Sequence, residues 1–209
     1  PMIWHVINRV KEIKSVEQIA LITTKEKSDQ TLLEIAENEK IIGFSGNTMD
    51  VLDRHYQCAL RLSADPIIRI TGDCPLIDPY IVEEMLKIFI NHDYDYISNI
   101  HPPTYPDGLD TEIFSFKTLQ QCHKNAKLPS EREHVTPFIS KNPDKFKLFN
   151  FENKENLSKN RWTVDEKEDL KFVKLIYEKM RPKKIFNFEQ ILQILKNEPD
   201  LIEINNQIR

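Results

Sequence analysis

Apolar positions along the first hundred residues follow two alternating rhythms. Met2, Ile3, Val6, Ile7, Val10 and Ile13 recur at helical spacing, and QIALIT (18–23) follows as a short apolar run of strand length. Ser28 or Asp29 is placed to cap a second helix through TLLEIAENEK, with IIGF (41–44) as the next strand. Thr48 is expected to cap MDVLDRHYQCALRL, after which PIIRIT forms a third strand. Asp78 and Pro79 then supply a capping carboxylate and a preset φ for a helix reaching about Asn91. Strands alternating with helices of this length predict βαβ units and a parallel sheet.

The second half is less regular. DYISN (95–99) reads as a strand, IHPPTYPDG as a rigid loop, and LDTEIFS alternates with Leu109, Thr111 and Ile113 on one face. Ser130 opens SEREHVTPFISKN, a helix in which Pro137 predicts a kink or break. FKLFNF (146–151) is a further strand, and RWTV another candidate after a polar loop. Asp165 then opens a long amphipathic helix, with Glu168 spaced as in a capping box, and a last helix spans roughly Phe188 to Lys196. No repeat, low-complexity segment or linker interrupts the chain, so residues 1–209 read as one domain.

Composition narrows the function classes. Hydrophobic content of 40% and charged content of 30% fit a soluble globular protein. No apolar run approaches the ~20 residues of a membrane helix. A net charge of -4 lacks the basic footprint of a nucleic-acid partner. The opening PMIWHVINRV lacks a secretory leader pattern, and Cys58, Cys74 and Cys122 have no metal-ligand spacing. Reduced thiols in a cytoplasmic protein are expected.

Within this frame RITGDCPLIDP (69–79) stands out, because an apolar strand ends by presenting Asp73 on a turn bounded by Gly72 and Pro75. A turn accepts aspartate for its backbone hydrogen bonds alone. In open α/β sheets, however, ligands bind beyond the carboxyl ends of the strands, and Asp73 sits at such an end.

DVLDRHYQCAL, PIIRITGDCPLIDP, YPDGLDTEIFS, PSEREHVTPFI and RWTVDEKEDL, in that order, resemble the cytidylyltransferases related to spore coat polysaccharide biosynthesis protein F. Those are similar in turn to the CMP-Kdo and acylneuraminate cytidylyltransferases. The resemblance runs from residue 1 to about 195. It implies an α/β, single-domain, Rossmann-like nucleotide-diphospho-sugar transferase fold with a mixed, mostly parallel sheet. It also implies transfer of CMP from CTP to a sugar or sugar acid with Mg²⁺, releasing pyrophosphate, in surface polysaccharide synthesis. Members of the family open with a strand and a triphosphate-wrapping loop, Q-A-R-x-G-S-x-R-L-P-G-K. This sequence starts at the P-M-I that usually follows, so the expected fold lacks its first strand. A slot with unpaired backbone on both neighbours and a poorly stable, weakly active chain are expected with it.

Nucleotidyl transfer is largely a matter of position and charge, and Mg²⁺ typically takes only one or two protein carboxylates. By resemblance Asp73 and Asp165 are those metal-binding, catalytic acids; a turn residue and an N-cap are the ordinary alternatives. Arg54 is a candidate nucleotide contact or a solvated helical arginine. Arg69, costly if unpaired in an apolar strand, either meets the nucleotide or pairs with an acid. Asp107, Gly108, Asp110 and Glu112 are candidate sugar contacts, although Asp-Gly also suits a plain hairpin. Glu133 and His134 are further substrate candidates or simply a charged helix start. Asp93-Tyr94-Asp95 resembles the metal motif of glycosyltransferases but leads straight into a strand, which marks it as a decoy. Trp4 and Trp162 are expected to pack in or against the core. A catalytically silent nucleotide- or sugar-binding module and a glycosyltransferase remain the alternative functions. Apolar helix faces are compatible with a homodimer.

Overall fold

A computed structural model describes residues 1–207. Helix α1 (Met2–Val10) buries Val6 and Ile7 on its apolar stripe, together with Arg9. That arginine is accommodated because Nε donates to the Ile77 carbonyl and Nη2 to that of Phe186, both at 2.5 Å. Its guanidinium also lies 4.5 Å from the Phe186 ring centroid, a favourable cation–π position.

Strands β1 (Ala20–Thr24) and β2 (Ile42–Gly46) pair in parallel, with α2 (Gln30–Asn38) as their crossover. Asp29 precedes α2 without capping it. Its carboxylate instead accepts from the Thr23 and Thr24 hydroxyls at 2.9 and 2.6 Å. Helix α3 (Val51–Leu62) also departs from expectation: Asp50, not Thr48, is its cap, accepting from the Asp53 amide at 2.8 Å. Thr48 stands two residues too early and its hydroxyl turns to Glu26.

Strand β3 (Ile67–Arg69) leads through the Asp73 turn into α4 (Pro79–Asn91). Asp78 caps α4 as expected, accepting from the Tyr80 amide at 2.8 Å, and its other oxygen accepts from the Phe188 amide at 2.6 Å. Next come β4 (Tyr96–Ser98), β5 (Glu112–Phe114) and α5 (Phe116–Asn125). The sequence reading had no element for α5, whose buried stripe of Thr118, Leu119 and Cys122 is short and mixed. Pro137 produces the expected break, separating α6 (Pro129–His134) from α7 (Pro137–Ser140). Strand β6 (Leu148–Asn150), α8 (Lys167–Met180), α9 (Phe188–Asn197) and a 3-10 turn (Pro199–Ile204) complete the described chain.

The larger sheet has the order β3-β5-β4-β6. β5 runs antiparallel to both β3 and β4, and β4 runs parallel to β6, so β5 alone opposes the common direction. The sheet is therefore mixed and mostly parallel. Because side chains alternate across a strand, Ile97 and Ile113 enter a core with residues of α4, α8 and α9, while Tyr96 and Phe114 join residues of α3, α5 and α7 on the opposite face. Trp162 is buried in the first of these cores, whereas Trp4 is 37% exposed. No helix of the described residues is long and apolar enough to cross a membrane.

Among the described strands, β1 pairs only with β2, and β3 only with β5. Between the two sheets lies a cavity of about 730 Å³, lined by Ile3, Val6, Ile22, Ile67, Ile68 and Ile70 among others. Residues of β1 and β3 both line it. Unpaired strand edges are weakly protected, so in the 209-residue chain the slot-facing amides of β1 and β3 should exchange hydrogen much faster than the paired amides of β4 and β5. Equal protection of all four strands in a native-state exchange experiment would contradict an open slot.

Candidate active site

The site is assembled by a short extended segment rather than by a long strand. Trp162 N donates to the Asp107 carbonyl at 2.7 Å, and Asp107 N to the Asn160 carbonyl at 3.0 Å. Two residues on, Val164 N donates to the Asp73 carbonyl at 2.9 Å, supported by the Thr163 hydroxyl at 3.3 Å. RWTV, expected as a strand, makes only one isolated bridge, between Arg161 and Asp107. Its backbone is used to join the Asp73 turn to the Asp107 loop. Asp165 follows directly, so both expected metal acids flank one hydrogen-bonded junction.

Gly108 is required for that closeness. Its φ is +103°, and a Cβ there would lie 2.5 Å from the Thr163 nitrogen. A side chain would meet backbone that cannot yield, in a region that L residues rarely adopt. The glycine therefore shapes the site without offering a functional group of its own.

Asp165 is not the residue capping α8. The fully buried Asp169 carboxylate accepts from the Asp165 and Glu166 amides at 3.1 and 3.0 Å, in the reciprocal position expected of Glu168. Arg161 joins the same acid through Nε and Nη2, both at 3.0 Å. Nη2 also donates to Asp165 Oδ2 at 2.6 Å, and Nη1 to Asp107 Oδ2 at 3.3 Å. Burial alone would raise the Asp169 carboxyl, but Arg161, Asn205 and the two amides pull it below the usual range. Neither Arg161 nor Asp169 was identified as a site residue from the sequence. The available signal was the spacing of four between Arg161, Asp165 and Asp169.

The acid cluster carries more negative charge than Arg161 balances. Burial first, then Asp107, Glu112 and Asp73, push the Asp110 carboxyl up to about 7. Asp107 is also raised, by burial, against the pull of Arg161. Beside them the Cys74 thiol is pushed well above its ordinary value by burial and by Asp73, which keeps it protonated. All three cysteines are free and buried.

Arg69 pairs through Nη1 with Glu112, whose other oxygen accepts from the Tyr96 hydroxyl at 2.7 Å and from the Thr136 hydroxyl. Glu112 is 2% exposed, so this expected sugar contact is committed to protein partners. Arg54 Nη1 donates to the Asn47 and Thr48 carbonyls at 2.6 and 3.0 Å, holding the loop between β2 and α3. Nε of both arginines is buried without a partner among the described residues. Glu133 and His134 are exposed on α6, and neither side chain makes a hydrogen bond or ion pair with the acid cluster among the described residues. Asp93 pairs with Lys147 Nζ, and Asp95 accepts from the Lys147 amide at 2.8 Å. Both precede β4, at the end of the sheet opposite the Asp73 turn, as suits a decoy.

A family model described as cytidylyltransferase matches residues 1–208. The chain belongs to the cytidylyltransferase family. An uncharacterized protein of Methanocaldococcus jannaschii is 34% identical over 207 residues, covering 97% of this chain and 83% of that protein. Spore coat polysaccharide biosynthesis protein SpsF of Bacillus subtilis is 26% identical, covering 90% and 78%. Among solved structures, a cytidylyltransferase from Leptospira borgpetersenii serovar Hardjo-bovis superposes with a TM-score of 0.93 at 32% identity, over 96% of this chain and 85% of that one. CMP:2-keto-3-deoxy-manno-octonic acid synthetase, solved with CTP, shares the fold with a TM-score of 0.62 at 17% identity, over 86% and 88%. The nucleotide-diphospho-sugar transferase fold expected from the sequence is thereby confirmed.

The raised Asp110 carboxyl has a consequence for stability. Its folded value, about 7, lies above the unfolded 3.8, so the native state binds the extra proton between these limits. The unfavourable contribution is absent below about pH 4, grows as pH rises, and is complete above about pH 7. Asp110→Asn should therefore gain stability relative to the parent protein at pH 8 compared with pH 5, in denaturant unfolding with EDTA present. A difference independent of pH would show that Asp110 titrates normally.

Proposed function

We propose that this protein transfers the CMP group of CTP to a sugar or sugar acid for polysaccharide or glycan synthesis, releasing pyrophosphate. The observation that carries the proposal is the junction of Asp73 and Asp165 through the Val164–Asp73 hydrogen bond, at the carboxyl end of β3. Family membership and the likeness to a polysaccharide-synthesis relative support the substrate class.

The donor set suits Mg²⁺. Asp165 uses only Oδ2 in its salt bridge, and Asp73 has only a 3.5 Å contact from the Cys74 thiol at one carboxylate oxygen. No group of three or more metal-ligating side chains occurs among the described residues. That pattern fits an ion that takes its remaining ligands from water and phosphate, since Mg²⁺ is usually held by one or two carboxylates. Asp73 and Asp165 would hold it, and when bound it would supply charge neutralisation for the phosphates.

The chain's own residues orient the reactants. With the ion bound, Asp73 and Asp165 would place the reacting phosphate beside the Asp73 turn, and Arg54 and Arg69, whose Nε groups have no partner among the described residues, are candidate cations for its charge. Asp107 and Asp110 accept hydrogen bonds from acceptor hydroxyls. In the transfer, a hydroxyl oxygen bonds to the α-phosphorus, the bond from that phosphorus to the bridging oxygen breaks, and the hydroxyl proton passes to a base. Asp110 is the carboxylate best matched to that task near neutral pH.

Incubation with CTP, UTP or GTP, Mg²⁺ and a panel of sugars and sugar acids should release pyrophosphate with CTP and a restricted set of acceptors. Asp73→Asn and Asp165→Asn should each lower turnover by at least ~10²-fold, the scale of one lost charge stabiliser. Nucleotide binding without pyrophosphate release from any acceptor would favour a silent binding module.

A further inference from the structure

We propose that Arg161 is the positioning residue that presents Asp165 to a divalent cation and Asp107 to the acceptor hydroxyls beside it, and that Asp169 holds Arg161 in place for both. The inference rests on the metal reading given above and concerns how this chain prepares its ligand oxygens.

The guanidinium has no idle nitrogen. Nε and Nη2 form a two-pronged pair with the two oxygens of Asp169, the geometry that fixes a planar fork most firmly. Asp169 is itself fixed, because its side chain is 0% exposed and accepts from the Asp165 and Glu166 amides. The Asn205 side chain completes its surroundings at 2.9 Å, and also donates to the Arg161 carbonyl at 2.8 Å. With the fork immobilised from below, Nη2 and Nη1 reach outward to Asp165 and Asp107.

Those outward acids are the solvent-facing part of the site. Their side chains are 55% and 44% exposed, against 18% for Arg161. An exposed aspartate samples several rotamers, and ordering it costs conformational entropy at the moment a ligand binds. Arg161 removes that freedom beforehand. It does so through Oδ2 of each acid, and the opposite oxygen, Oδ1, has no protein hydrogen bond among the described residues. A carboxylate held by one oxygen and open at the other is oriented rather than blocked. Partners behind metal-ligating carboxylates commonly account for 10–100-fold in metal affinity.

Lysine cannot substitute here. A single ammonium offers a point charge on a flexible stem, whereas this role needs fixed donors pointing to three acids at once. Arg161→Lys preserves the charge and removes the fork. Arg161→Gln with Asp169→Asn removes both charges together, so no buried carboxylate is left unpaired and folding is protected.

The probe is Mn²⁺ alone, titrated into the protein and followed by water-proton relaxation, with melting temperature in EDTA as the control. The parent protein should bind Mn²⁺, and Asp73→Asn, which leaves the Arg161 contacts in place, should bind it weakly. Arg161→Lys and the double variant should lose about 10–100-fold in affinity while melting close to the parent. Parent-like Mn²⁺ affinity in either folded Arg161 variant, with Asp73→Asn impaired, overturns the role of Arg161 and leaves the metal reading standing. No Mn²⁺ binding by the parent, or full binding by Asp73→Asn, overturns the metal reading and this inference with it.

Discussion

The junction between residues 160–164 and two distant loops is the constraint on which the site depends. Each amide or carbonyl in a buried extended segment must find a partner, because an orphaned group costs roughly 1–3 kcal/mol. Trp162 and Val164 meet that demand on opposite loops, one at Asp107 and the other at Asp73. With Trp162 buried among Phe172, Ile176 and Leu109, the segment cannot slide without exposing a large aromatic side chain. Packing therefore sets the register, hydrogen bonding follows from it, and the acids of three chain regions meet as a result.

Charge in the interior obeys the same economy. Arg69 and Glu112 face one another across the β3–β5 pair, and two hydroxyls satisfy the second oxygen of Glu112. A buried ion pair of this kind is weak evidence for added stability, but loss of either partner leaves an uncompensated charge. The network also links β3, β4, β5 and the turn before α7. A change at Thr136 would thus be felt at the strand that ends in the Asp73 turn.

Much of this organisation was legible in the sequence. Apolar runs located each strand within a few residues, and the Asp78-Pro79 start gave α4 its correct beginning. The order of motifs identified Asp73 and Asp165 as neighbours. What escaped was tertiary. Arg161 looked like the polar edge of a strand, since nothing local says that three acids converge on it. Arg9 sat inside an apolar stripe, and the Ile77 and Phe186 carbonyls with the Phe186 ring, all distant in sequence, explain its burial. Thr48 and Asp50 both belong to the residue types that cap helices, and the actual helix start decides between them. Glu112 read as a free sugar contact because its partners lie on β3, β4 and the segment before α7.

The position of Asn205 ties the site to a remote part of the chain. Its side chain donates to both the Arg161 carbonyl and the Asp169 carboxylate, from a turn far along the sequence. The fork is therefore complete only when three separate stretches, around Asp107, residues 161–169 and Asn205, have folded together. Local opening of any one of them would loosen the outward acids while the rest of the protein stayed folded.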